Sequence, residues 1–104
     1  MGYLKQVLRD EYDRLQALCE KYKNEIVSLP KGSISIKKRN QKEYLYLAFR
    51  QKEKVKFNYI GPLLSENSKD AINKVNLRKQ FEEKLNQAKS NLREVEKAVS
   101  ERKV

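Results

Sequence analysis

Residues 33–60 have the sequence SISIKKRNQKEYLYLAFRQKEKVKFNYI, in which apolar and polar residues alternate through three successive runs. The runs cover residues 33–38, 44–50 and 54–60. A period of two is typical of strands, because successive side chains of a strand point to opposite faces of the sheet. The connections around residues 39–42 and 51–53 are short enough for hairpins. This stretch therefore predicts a three-stranded antiparallel meander.

The alternation also predicts which side chains share a face of the sheet. The inner, apolar face is expected to pack on helices and comprises Ile34, Ile36, Leu45, Leu47, Phe49, Val55, Phe57 and Tyr59. The outer face carries hydroxyls, an amide and cations around two tyrosines, and it comprises Ser33, Ser35, Lys37, Tyr44, Tyr46, Arg50, Lys54, Lys56 and Asn58. Four more cations are expected at the hairpin tips, namely Lys38, Arg39, Lys42 and Lys52.

Apolar residues on both sides of the meander recur at alternating spacings of three and four. The first stripe consists of Leu8, Tyr12, Leu15, Cys19, Tyr22, Ile26 and Leu29, and the second of Phe81, Leu85, Ala88, Leu92, Val95 and Val99. Such stripes are typical of coiled coils. We predict helices over residues 1–29 and 66–102 that pair as an antiparallel coiled coil. Ile72, Val75 and Leu77 are out of phase with the second stripe, so residues 70–77 form either a separate short turn, with a possible break near residue 77, or a shifted first part of the helix that packs under the sheet.

The length and the charge of the chain restrict both the architecture and the partner. A chain of 104 residues is enough for one domain, so we expect a single α+β domain of helix, meander and helix. The net charge is +10, and residues 31–60 hold nine basic and two acidic residues. Such an excess favours a polyanionic partner, nucleic acid before membrane. With no long apolar run and no secretory signal, the expected location is cytoplasmic.

The residue types that most enzymes and metal sites need are scarce. The chain has no His and one Cys, Cys19, which we interpret as a small buried hydrophobe on the first stripe. It lacks the glycine patterns of phosphate-binding and dinucleotide-binding loops. We therefore expect no catalytic residue, no metal ligand and no cofactor, and the chain is predicted not to be an enzyme.

The central run resembles two groups of proteins over residues 29–62, through LPKGSISIKK at residues 29–38 and EYLYLAFRQKEKVKFNYIGP at residues 43–62. One group consists of small uncharacterised bacterial and phage proteins with the LPKGS turn, a tyrosine-rich second strand, a KVK third strand and a closing YIG. The run is also similar to the three-stranded arm-type DNA-binding domain of tyrosine recombinases. In those domains the outer sheet face reads the major groove. The resemblance implies this role for Lys37, Tyr44, Tyr46, Arg50, Lys54 and Lys56.

These observations predict a nucleic-acid-binding accessory or regulatory protein of a bacterial or phage mobile element. The predicted partner is double-stranded DNA, since a basic sheet face can enter a major groove. The predicted contact residues are Lys37, Lys38, Arg39, Lys42, Tyr44, Tyr46, Arg50, Lys52, Lys54, Lys56 and Asn58. The alternative is a protein-interaction module, such as an inhibitor of a host defence, that docks on an acidic host protein or a nucleoprotein complex. The helical seam also allows a homodimer.

Overall fold

The computed structural model describes residues 2–101, with side chains described for residues 4–100. The elements are α1 (Gly2–Val27), β1 (Ser33–Arg39), β2 (Lys42–Gln51), β3 (Lys54–Pro62) and α2 (Glu66–Glu101). The strands form one antiparallel sheet in the order β1-β2-β3, which confirms the predicted α+β class. Helix α1 ends two residues before the predicted boundary. Residue 1, where the first helix was expected to begin, and residue 102, where the second was expected to end, lie outside the described residues.

The chain divides into two compact units. The helical unit contains α1 and the part of α2 from Gln80 onward, and the two helices are in contact. Its most buried side chains are Leu15, Cys19 and Ala88, which all belong to the predicted stripes. The rings of Tyr22 and Phe81 approach to 6.0 Å between centroids. The stripes therefore form the core of this unit, while the coiled-coil geometry of the pair stays a prediction.

Helix α2 is continuous, so the break that the sequence allowed near residue 77 is absent. Val75 is buried, whereas Leu77 is 40% exposed. The next residue, Arg78, is half-buried, and its Nη1 donates a hydrogen bond to the carbonyl oxygen of Leu29 at 2.7 Å. The helix continues through this polar position because residues 66–101 contain neither Pro nor Gly. No helix in the described part of the chain has an apolar window that could cross a membrane.

The second unit, residues 28–79, holds the sheet and the first part of α2. Its core is formed by Leu45 and Leu47 of the central strand and by Val75 of the helix. Helix α2 begins with a cap in which the backbone N–H of Ser68 donates to Oγ of Ser65 at 3.3 Å. The buried Ser68 hydroxyl donates to the carbonyl oxygen of Pro62 at 2.7 Å. These bonds connect the start of the helix directly to the end of β3.

Both hairpins close with two-residue turns. Arg39 lies opposite Lys42, and Gln51 lies opposite Lys54. The four turn residues have positive φ angles, at Asn40 (49°), Gln41 (65°), Lys52 (54°) and Glu53 (35°). Positive φ at both central positions is typical of type I′ turns, which match the twist of a hairpin. Because only Asn40 among the four is a residue type that favours this region, both turns carry some backbone strain.

The first turn offers a direct test of this strain. Gln41→Gly would create the Asn-Gly pair that type I′ turns prefer, and we expect it to stabilise the protein by about 1 kcal/mol. Urea unfolding followed by circular dichroism measures the change. Gln51→Gly is the control, because Gly within a strand weakens it. A Gln41→Gly protein less stable than the natural one would contradict the assigned turn.

Candidate nucleic-acid interface

The register between β1 and β2 places the predicted side chains of these two strands on their expected faces. Lys37 lies opposite Tyr44, and Ser35 lies opposite Tyr46. Directly opposed residues of an antiparallel pair share a face, so these four side chains belong to the outer face. On the inner face, the buried Leu45 lies opposite Ile36.

Strand β3 has the opposite orientation from the one predicted. Val55 lies opposite Arg50, Phe57 opposite Ala48, and Tyr59 opposite Tyr46. The inner position expected for Val55, Phe57 and Tyr59 is therefore wrong, and all three belong to the outer face. Their exposed fractions are 55%, 49% and 53%. The outer face is consequently more aromatic than the sequence alone indicated.

The three polar residues that alternate with them lie on the inner side. Lys54 is opposite Gln51, Lys56 opposite Phe49, and Asn58 opposite the buried Leu47. Asn58 also lines a shallow hollow together with residues of α2. The predicted outer position of Lys54, Lys56 and Asn58 is therefore wrong.

The length of the second turn explains this reversal. A two-residue turn between Gln51 and Lys54 pairs every odd-numbered residue of β2 with an even-numbered residue of β3 near the turn. The predicted arrangement, with Val55 and Phe49 on one face, would require an odd number of residues in the turn between β2 and β3. Lys52 and Glu53 are not the Asn-Gly or Asp-Gly pair that would have indicated the two-residue turn. Two-residue turns are the commonest in hairpins, and assuming that length would have placed Phe57 and Tyr59 on the outer face.

Four aromatic rings meet on the outer face, and we call them the outer aromatic cluster: Tyr44, Tyr46, Phe57 and Tyr59. The ring centroids of Tyr46 and Tyr59 are 5.4 Å apart with an edge-on arrangement, and those of Tyr44 and Tyr59 are 6.2 Å apart. Contacts of this kind stabilise a pair of rings beyond their burial. Because Tyr59 contacts both tyrosines of β2, the cluster holds its ring in place while leaving about half of the side chain exposed.

A cation lies over this cluster. The Nζ of Lys37 is 3.9 Å from the ring centroid of Phe57 and 4.8 Å from that of Tyr46. Both distances are within the range of cation–π attraction, which is worth about 0.5–1 kcal/mol at exposed sites. Lys37 thus reaches from the edge strand β1 across β2 to a residue of β3.

The charged side chains of the outer face are all basic. Its cations are Lys37, Arg39, Lys42 and Arg50, which are all exposed. The nearest strand carboxylate, Glu43, is opposite Lys38 and alternates to the other face. Lys52 lies in the second turn beside Glu53. Of the predicted contact residues, the outer face therefore brings together six: Lys37, Arg39, Lys42, Tyr44, Tyr46 and Arg50.

On α1, Glu11 forms an ion pair with Arg14 of the same helix. Glu11 accepts hydrogen bonds from Nε and Nη2 of Arg14 at 3.0 and 2.6 Å. These hydrogen bonds lower the pKa of Glu11 from its ordinary value. Within residues whose side chains are described, no three His, Cys, Asp or Glu residues are grouped to hold a metal ion. The chemistry that the outer face offers is ring stacking and the binding of anions.

The model of DUF6788, a domain of unknown function, matches residues 4–69. That range includes the whole sheet with its outer face. No curated protein and no solved structure matches the chain.

Proposed function

The chain belongs to the DUF6788 family, and we propose that it binds nucleic acid through the outer face of its sheet and is not an enzyme. One observation carries the proposal: a single exposed face combines four aromatic rings and four cations without a carboxylate. Lysine and arginine neutralise phosphates, and aromatic rings stack on bases. A nucleic acid presents both groups along every nucleotide.

The charge distribution supports the same partner. The chain carries a net charge of +10, and the sheet region contains more of this excess than the helices do. A field of this sign attracts polyanions and makes their binding sensitive to salt. The proposal includes the accessory role in a bacterial or phage mobile element, which the resemblance over residues 29–62 supports, and with it a cytoplasmic location.

A second candidate function is docking on an acidic protein. It is favoured by the three half-exposed apolar side chains of β3, Val55, Phe57 and Tyr59, which a protein partner would also cover. We rank it second because a protein surface would need acidic groups spaced to match cations at both ends of the sheet. The phosphates of a nucleic-acid strand recur at regular intervals, so they can contact cations at both ends of the sheet.

The salt dependence of binding tests the proposed face. Contacts from the four cations to phosphates would give a slope of log affinity against log salt of about −3 to −4. We expect Lys37→Ala combined with Arg50→Ala to flatten the slope by about 1.5 to 2, because two phosphate contacts are lost. Fluorescence anisotropy with labelled oligonucleotides at several salt concentrations measures both slopes.

The matched control is Lys54→Ala combined with Lys56→Ala. It also removes two positive charges from the sheet, but from the inner face. The net charge of the protein therefore falls by the same amount in both variants. The slope of this control should equal that of the natural protein. If the control flattens the slope and the outer pair does not, the outer face is not the binding surface. If the affinity of all three proteins is independent of salt concentration, the nucleic-acid proposal is rejected and docking on an acidic protein becomes the first candidate.

A further inference from the structure

Strand β3 presents three consecutive outward positions that are all apolar and half exposed. Val55, Phe57 and Tyr59 each leave about half of their surface in solvent. Scattered apolar residues are normal on protein surfaces, but a contiguous apolar patch indicates a surface that binds something. Here the patch lies among cations, so the partner must offer flat apolar groups and negative charge together.

The spacing of the two rings favours one form of nucleic acid. Phe57 and Tyr59 are two residues apart on a strand, which separates their Cα atoms by about 6.6 Å. Bases within a helix stack about 3.4 Å apart. Two neighbouring bases that lie on these two rings must therefore separate from each other, as the splayed bases of single strands do.

A duplex cannot use the same rings in this way. Its bases expose only their edges in the grooves, because each base face is covered by the next base pair. A duplex would also gain from the phosphate contacts of Lys54 and Lys56, which the register places on the inner face. Compared with the predicted outer face, the observed one lacks Lys54 and Lys56 and includes Phe57 and Tyr59. Both differences favour binding of a single strand over a duplex.

Lys37 connects stacking to phosphate binding. Its Nζ lies 3.9 Å from the centre of the Phe57 ring. A base that stacks on this ring displaces the ammonium group from it. The displaced cation then has a phosphate of the same strand within reach, so the cation–π contact is exchanged for a salt bridge.

We infer that the outer face binds single-stranded nucleic acid in preference to duplex, with two adjacent unstacked bases on Phe57 and Tyr59. This inference rests on the proposed function, for which it specifies the class of ligand. The shared chemistry is a sugar-phosphate strand with unpaired bases, whether DNA or RNA.

The test compares three labelled probes of one sequence: a 12-nucleotide DNA strand, the matching RNA strand and the DNA duplex. We expect either single strand to bind at least about tenfold more tightly than the duplex, because stacking on an aromatic ring strengthens binding by about 5- to 150-fold per base. Whichever single strand, DNA or RNA, binds more tightly shows which sugar the protein prefers. Phe57→Leu combined with Tyr59→Leu should weaken single-strand binding by about 100-fold and duplex binding by less than about twofold. Phe49→Leu is the matched control, since it removes a ring from the inner face of the same sheet.

A second measurement reports stacking directly. The chain contains no tryptophan, so Phe57→Trp places a single indole on the outer face. Single strands should quench its fluorescence by stacking, and the duplex should leave it nearly unchanged. The circular dichroism melting curves of all variants verify that they fold.

The results separate this inference from the proposed function. If the duplex binds as tightly as the single strands, or if the double leucine variant binds them normally, the stacking inference is wrong. In that case, loss of binding in the Lys37 and Arg50 variant would still support nucleic-acid binding by the outer face. Failure of the natural protein to bind any of the three probes would overturn both.

Discussion

Leu15→Asp is expected to unfold the helical unit formed by α1 and the second part of α2. Leu15 is 2% exposed, so the substitution removes a buried side chain worth about 2–3 kcal/mol. It also introduces a carboxylate with no hydrogen-bond partner into an apolar core, which costs several kcal/mol more. The total, about 5 kcal/mol, is comparable to the whole stability of a small domain. Urea unfolding followed by the helical signal in circular dichroism measures the loss.

Val7→Asp is the matched control for this prediction. It introduces the same charge on the same helix at a side chain that is 46% exposed, and we expect a change below about 1 kcal/mol. Equal unfolding midpoints for Leu15→Asp and the natural protein would show that the buried stripe does not hold the unit together.

Gly32→Ala is expected to destabilise the unit that contains the sheet by about 3 kcal/mol. Gly32 has a φ of 131°, a conformation that residues with a side chain rarely adopt. A Cβ at this position would lie 2.5 Å from the carbonyl oxygen of Ala48 and 3.3 Å from Cγ of Leu47. Strand β2 cannot move away, because it is held by hydrogen bonds on both sides.

The neighbouring substitution Ser33→Ala provides the comparison. Ser33 is exposed at the start of β1, so the change should stay within about 0.5 kcal/mol. Denaturant midpoints of the two variants, measured by tyrosine fluorescence, test the difference. Similar midpoints would mean that the loop before β1 does not require the backbone geometry of Gly32.

Local periodicity was sufficient to identify every element of this fold. The spacings of three and four predicted both helices, and the period of two predicted all three strands within two residues of their observed ends. Local periodicity works here because each element buries one face, and burial selects apolar residues at the period of that element. The same principle correctly assigned the half-buried Ile34 and the buried Leu45 and Leu47 to the inner face, whereas Ile36 lies on that face by its register but is 53% exposed.

The end of the buried stripe on α2 required tertiary information. Leu77 is the apolar residue that suggested a change of phase, but it is 40% exposed. Arg78 is half-buried instead, and its guanidinium donates a hydrogen bond to the carbonyl oxygen of Leu29, just after the end of α1. A hydrogen bond between residues 49 positions apart has no signature in the local sequence.

The sequence by itself determined the types, order and charge of the elements, because these depend on side chains near one another along the chain. The tertiary structure alone decided which residues of β3 share the outer face. Residues 54–59 of that strand alternate in the sequence and are all exposed, so burial does not distinguish its two sides. The two-residue turn at Lys52 and Glu53 sets the pairing of β3 with β2, and a shift of one residue would exchange the faces. That single geometric choice places Phe57 and Tyr59 beside Tyr46, and Lys54 and Lys56 on the other side of the sheet.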